Sequence, residues 1–187
     1  MERLRVRMKR NDTLQIPQFQ LPEGLTFKRF IDGDQEKWAE IELAAGEFDT
    51  KEQALERFER EFGHDLPGMQ ERSVFILNQV GEAIATTTAW YGDLMDDGVY
   101  TGRIHFVAVK PDYQGKKLSK PLLSEAMNIL ATYHDKIYLT SQTTSYKAIN
   151  MYLNYGFEPH FFSDTCQEAW ELMEQVLQRP ILKEQNK

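Results

Sequence analysis

A single glycine and three lysines follow one strand-like run in VAVKPDYQGKKLSKPLL, residues 107–123: Gly115, then Lys116, Lys117 and Lys120. Pro111 keeps the strand from continuing past Val109, because proline lacks the N–H that a ladder needs. Pro121 is tolerated only in the first turn of a helix. A helix must therefore begin between Leu118 and Lys120, with Ser119 its natural cap. That placement turns the unpaired N–H groups of residues 115–120 outward at the positive end of a helix. An anion such as a phosphate would be stabilised there, and the lysines add charge of the correct sign. Neither G-x-x-x-x-G-K-[ST] nor G-x-G-x-x-G can be written over the stretch. Taken alone, it also fits an ordinary charged turn at the surface.

A second stretch lies about forty residues on. AINMYLNYGFEP reads A-I-x-x-Y-x-x-x-G-F-x-P, with Tyr152 on a helix, Gly156 at its end and Phe157 opening a strand. Together with VAVKPDYQGKKLS, it resembles the GNAT acetyltransferase superfamily, from about Leu25 to Phe161. LTFKRFIDGDQEKWAEI is similar to that family's opening strand and helix. Gln114 and Gly115 match the family's loop, whereas Lys117 stands where it has glycine and Ser119 where it has glycine or alanine.

The resemblance implies an N-acetyltransferase that moves an acetyl group from acetyl-CoA to an amine by direct attack on the thioester. The backbone from Gln114 through Gly115, Lys116, Lys117 and Leu118 to Ser119 would cradle the pyrophosphate. Main-chain groups of Val107 and Val109 would pair with pantetheine, a form of strand addition. Ser145 takes the place of a frequent asparagine. Tyr152 matches the general acid that returns a proton to the thiolate. His105, expected on the same strand face as Val107 and Val109, is the candidate base, with Glu47 and Asp49 as alternatives. The same fold could also serve as a non-catalytic acyl-CoA-binding module; retention of Tyr152 favours the enzyme.

The elements that must position these residues are legible from periodicity. Leu4, Val6 and Met8 alternate with arginines, as in a half-exposed strand. LTFKRFI is a second strand. A helix with Trp38, Ile41 and Ala45 on one face ends at Gly46, and Thr50 with Gln53 opens the next as a capping box. After a turn at Pro67 and Gly68, SVFILN and EAIATTTAWY form a hairpin across QVG, followed by YTGRIHFVAV. A helix through Leu122, Ala126 and Leu130, the strand KIYLTS, the Tyr152 helix, the strand FEPHFF and a C-terminal helix complete the chain. The expected fold is mixed α/β: a mainly antiparallel central sheet flanked by helices, with strands splayed before and after the CoA-binding loop. Residues 1–24 read as an N-terminal extension, 25–163 as the acetyltransferase domain and 164–187 as a C-terminal helix and tail.

Composition removes several classes. The 187 residues carry a net charge of −7, which argues against a nucleic-acid or anionic-membrane surface. No apolar run reaches the ~18 residues of a membrane span. Four scattered histidines and one cysteine, Cys166, make no metal-ligand spacing and no internal disulfide, so a reducing, cytoplasmic setting is expected. The acid is concentrated: residues 32–65 hold twelve acidic and four basic side chains, −8 in all, leaving +1 for the rest. This reads either as solvated helix faces or as a wall that draws in a cationic amine. The acceptor is expected to be a small-molecule or peptide amine. A homodimer stays open, since Trp170, Met173 and Leu177 of the C-terminal helix could cover either a sheet edge or a partner.

Overall fold

The structure is a computed structural model that describes residues 1–95 and 97–182. Seven strands are present: β1 (Arg5–Arg10), β2 (Thr26–Arg29), β3 (Ser73–Leu77), β4 (Ala83–Asp93), β5 (Tyr100–Val109), β6 (Ile137–Gln142) and β7 (Glu158–His160). They form one sheet in the order β2-β3-β4-β5-β6-β1-β7. Every pairing is antiparallel except β5 with β6. Six helices flank it: α1 (Gln35–Ala45), α2 (Lys51–Phe62), α3 (Leu66–Arg72), α4 (Ser119–Ala131), α5 (Tyr146–Asn154) and α6 (Cys166–Leu177).

Alternation along the strands gives the sheet two apolar faces. On one, Met8, Leu139 and Ile104 pack with Leu122 and Met127 of α4, Ile149 of α5 and Trp170 of α6. On the other, Phe75, Trp90 and Ala108 pack with Trp38 of α1 and Phe58 and Phe62 of α2. The mixed, mainly antiparallel sheet expected from the sequence is the observed one.

Three local expectations change. The first strand is interior: β1 lies between β6 and β7, and Val6 and Met8 are wholly buried. The alternation was correct, but it does not say whether a strand has one neighbour or two. The Pro67-Gly68 segment is part of helix α3, because Asp65 caps it, accepting from the Gly68 amide at 2.9 Å. Pro67 falls in the first turn, where a missing N–H costs nothing. Ser119 is the first helical residue of α4, and Leu118 occupies the cap position with no side-chain hydrogen bond.

The feature that makes a site is the parting of β5 and β6. They pair only at Gly102–Ile137, Arg103–Tyr138 and Ile104–Leu139. Beyond that β5 stays with β4, whereas β6 stays with β1. Phe106, at φ +50°, sits where the β4–β5 register shifts. Such a bulge bends and twists its strand, turning the end of β5 away from β6.

Candidate active site

The loop before α4 offers backbone donors with nothing to donate to. The amides of Gly115, Lys116, Lys117 and Leu118 make no hydrogen bond to any described residue. Gln114 is different: its amide closes a turn onto Pro111 O at 3.1 Å, and its side chain holds Val109 O at 3.0 Å. It therefore braces the loop, and the outward donors begin at Gly115. Gly115 and Lys117 both have left-handed backbone, φ +77° and +62°. Lys117 thus takes a left-handed backbone that glycine adopts freely. Alternating dihedrals of this kind turn successive N–H groups toward one point, an anion-binding concavity.

This loop forms one end of a cleft in two connected parts. The outer cavity, about 680 Å³, is bordered by Val107, Val109, Gly115, Lys117, Ser119 and Lys120 on one side and by Lys147, Asn150 and Tyr152 on the other. The inner cavity, about 250 Å³, lies in the gap between β5 and β6 and includes Glu42, Arg57, Arg103, His105, Ser141 and Ser145. Glu47, Val107, Ala148 and Tyr152 border both. Lys116 is not on the wall: its ammonium lies 4.6 Å from the Tyr113 ring centre. Ser145 belongs to the inner part, away from the loop.

Tyr152 stands at the junction. It is only 6% exposed, its ring meets Phe157 edge-on at 6.1 Å, and its hydroxyl bonds to no described residue. Burial first, and the nearby Glu47 second, push the phenol up to about 12. It keeps its proton at neutral pH and is free to donate it.

Glu42 was not singled out from the sequence. It is fully buried in α1, with neither carboxylate oxygen hydrogen-bonded, and it borders the inner cavity. Burial, then Glu47, raises its carboxyl well above the ordinary range. The signal was available: Glu42 lies four residues after Trp38, on the apolar stripe rather than the solvated face. Of the other acidic residues in 32–65, Asp34 pairs with Lys28 and Lys37, and Glu36 and Glu40 share Lys51. Asp49 is exposed and borders neither cavity.

His105 requires a correction of face. The bulge at Phe106 reverses the alternation, so Val107 and Val109 pack on the α4 side. His105 points to the α2 side, its ring 5.9 Å from that of Phe62. There its Nε2 lies 3.3 Å from Glu61, which also binds Arg57 at 2.6 Å. The His105 hydrogen bond, above all, holds Glu61 down at about 2. An ionised carboxylate only accepts, so Nε2 carries the proton and Nδ1 the lone pair. Burial dominates for the imidazole, taking it down to about 4, so it is neutral at pH 7. Arg103, two residues earlier on the same face, shares this wall.

Outward amides, an open strand edge and a phenol at the bend thus lie along one cleft. The family model for the acetyltransferase (GNAT) family matches residues 35–157. The chain belongs to the GNAT acetyltransferase family. A GCN5-related N-acetyltransferase from Sphaerobacter thermophilus superposes with a TM-score of 0.64 at 20% identity, over 84% of this chain and 49% of that one. The tandem GNAT protein from the clavulanic acid biosynthesis pathway gives 0.59 at 14%, over 83% and 50%. Glucosamine-6-phosphate N-acetyltransferase from Arabidopsis thaliana gives 0.51 at 17%, over 75% and 96%. The present GNAT chain thus spans about half the length of the first two structures. No curated protein matches its sequence. Among the described residues no group of three or more histidine, cysteine or acidic side chains could hold a metal ion, and no helix is long and apolar enough to cross a membrane.

Proposed function

We propose that this GNAT protein acetylates an amine using acetyl-CoA, with the coenzyme in the outer cavity and the amine in the inner one. The single observation that carries this reading is the continuity of the cleft: unpaired amides at 115–118 open onto one end, and the unbonded Tyr152 hydroxyl stands where the two cavities meet. The residues fit the coenzyme. The amides and the ammonium groups of Lys117, Lys120 and Lys147 would hold its phosphates. The edge of β5 turned away from β4 at Val107–Val109, part of which Gln114 already occupies at Val109 O, would pair with its pantetheine amides. Acetyl-CoA supplies the acyl group as a thioester. The volume of the outer cavity falls in the range of about 300–1,000 Å³ usual for small-ligand sites.

The reaction needs a proton taken from the ammonium and one given to sulfur as the new C–N bond forms and the C–S bond breaks. Tyr152 suits the second task. For the first, Glu42 is better matched than His105. Burial raises its carboxyl above the ordinary range, making it more basic than an exposed carboxylate, whereas the imidazole near 4 is weakly basic. Glu47, bordering both cavities, gives the amine wall a negative character, which supports an acceptor that arrives as a cation. His105 would then position Glu61 and Arg57.

Coenzyme A should raise the melting temperature, since a ligand bound only by the folded state stabilises it. Gly115→Asp is a discriminating variant. A Cβ at residue 115 meets nothing within 4 Å, and aspartate tolerates left-handed backbone. The fold should survive while the carboxylate repels the pyrophosphate. A wild-type melting temperature unmoved by saturating coenzyme A would overturn the reading.

A further inference from the structure

Two guanidinium groups border the inner cavity, Arg57 and Arg103. Arg103 projects from β5 with its Nε buried and unbonded, and among the described residues it has no ion pair or hydrogen bond. Arg57, across from it on α2, also has a buried, unbonded Nε. Its one ionic partner is Glu61, which is shared with His105. On the neighbouring strand, Arg7 and Arg5 stand in register with Thr140 and Gln142 of the cavity wall. Among the described residues Arg7 makes one hydrogen bond, to Leu94 O at 3.4 Å, and lies 4.5 Å from the Phe162 ring centre. Burial above all holds Arg103 below its usual value, with Tyr138 and Glu61 acting as attractions and Arg57 and Arg5 as repulsions. Asp93 accepts the amides of Asp97 and Gly98 in its own turn. Glu47 makes no ion pair with either arginine.

Buried charge without a counter-charge is costly, and a guanidinium offers a planar pair of donors that matches a carboxylate or phosphate. We propose that the acceptor bears an anionic group, carboxylate or phosphate, tethered to its amine, with Arg103 and Arg57 binding the anion while the amine lies toward Glu42 and Tyr152. This rests on the amine-acetylation reading and narrows it to a zwitterionic small molecule. At about 250 Å³ the inner cavity suits a compact acceptor. An arginine-lined pocket would also reject simple polyamines, which the charge of residues 32–65 alone would favour.

The test uses matched amines with acetyl-CoA: phosphoethanolamine against ethanolamine, and β-alanine against β-alaninamide. Thiol release should favour the anionic member of at least one pair by about tenfold in kcat/KM, the worth of one charge-assisted hydrogen bond. The preferred pair tells phosphate from carboxylate. Arg103→Gln should erase the preference and leave the KM for acetyl-CoA within about twofold; Arg57→Gln, at a more exposed position, serves if the first variant does not fold. Neutral members turned over equally well, or a preference that survives both variants, would overturn the proposal. The site is also read without turnover, in saturating coenzyme A so that the loop is filled. Phosphoethanolamine or β-alanine should raise the melting temperature of the wild type but not of the variants. Such a shift without any acetylation would uphold the anion site and defeat the transferase reading; neither shift nor preference would defeat the anion site.

Discussion

Gly115 and Lys117 stand two residues apart before α4 and share left-handed backbone, the lysine holding a dihedral that its side chain disfavours. For a residue with a Cβ this conformation costs about 1–2 kcal/mol. The turn therefore keeps the shape of a glycine loop without the glycine, and its amides stay directed at the cleft.

Lys117→Gly should stabilise the free protein by up to about 1 kcal/mol in urea unfolding, part of the gain being offset by glycine's larger unfolded-state entropy. Coenzyme A affinity should change only a few-fold, because the amides are unchanged. Lys117→Val should lose about 1–2 kcal/mol, since a β-branched residue resists this region, and should weaken coenzyme A binding. Equal stability of all three proteins would show that the backbone at 117 stores no strain.

Glu42→Gln keeps size and removes the charge. In the free protein the folded-state carboxyl is raised above its unfolded value. Between these two values the folded chain holds a proton that the unfolded chain has lost, so stability falls as pH rises through that window. The variant should lack that decline and be at least as stable near neutrality. Its kcat/KM for the amine should drop by about 10²-fold or more, and the acidic limb of the pH–rate profile should disappear. A variant with wild-type turnover would make Glu42 a buried structural acid only.

His105 works in the opposite direction. Its folded-state value of about 4 lies below the ordinary 6.5. Below pH 6.5 the unfolded chain takes up a proton that the folded chain refuses until about 4, so stability falls with acidification across that interval. Glu61, held down at about 2 against an ordinary 4.5, contributes a loss that sets in lower, as pH falls from 4.5 toward 2. His105→Gln should flatten the denaturation midpoint between pH 6.5 and 4 and weaken the lower decline, because the His105 hydrogen bond is the largest cause of the Glu61 depression. An unchanged slope above pH 4.5 would show that another group titrates there.

Much of this arrangement was legible in the sequence. Pro111 and Pro121 bracket the loop, and Tyr152 and Gly156 mark the helix that carries the phenol, because proline, glycine and helical spacing act locally. What escaped was set by tertiary packing. The bulge at Phe106 has no local signature in an apolar strand, and it decides which face His105 occupies. The interior place of β1 depends on β6 and β7 lying to either side of it. Glu42 sat on the apolar stripe, yet in a segment so acidic it passed for surface. Arg103 stands opposite Tyr138 where β5 and β6 still pair, and among the described residues it has no ion pair, which no spacing rule records.

The most direct measurement is steady-state thiol release from acetyl-CoA with an amine panel, comparing wild type with Tyr152→Phe. Phenylalanine preserves the ring packing against Phe157 and removes the one proton that the departing thiolate requires. Wild type should release thiol only when an amine is present. The variant should lose about 10²-fold or more in kcat with little change in the KM for acetyl-CoA, as expected for a group used in the transition state. Amine-independent or absent thiol release by a wild type that binds coenzyme A, or equal kcat in the variant with chemistry rate-limiting, would contradict acetyl transfer with Tyr152 as the acid.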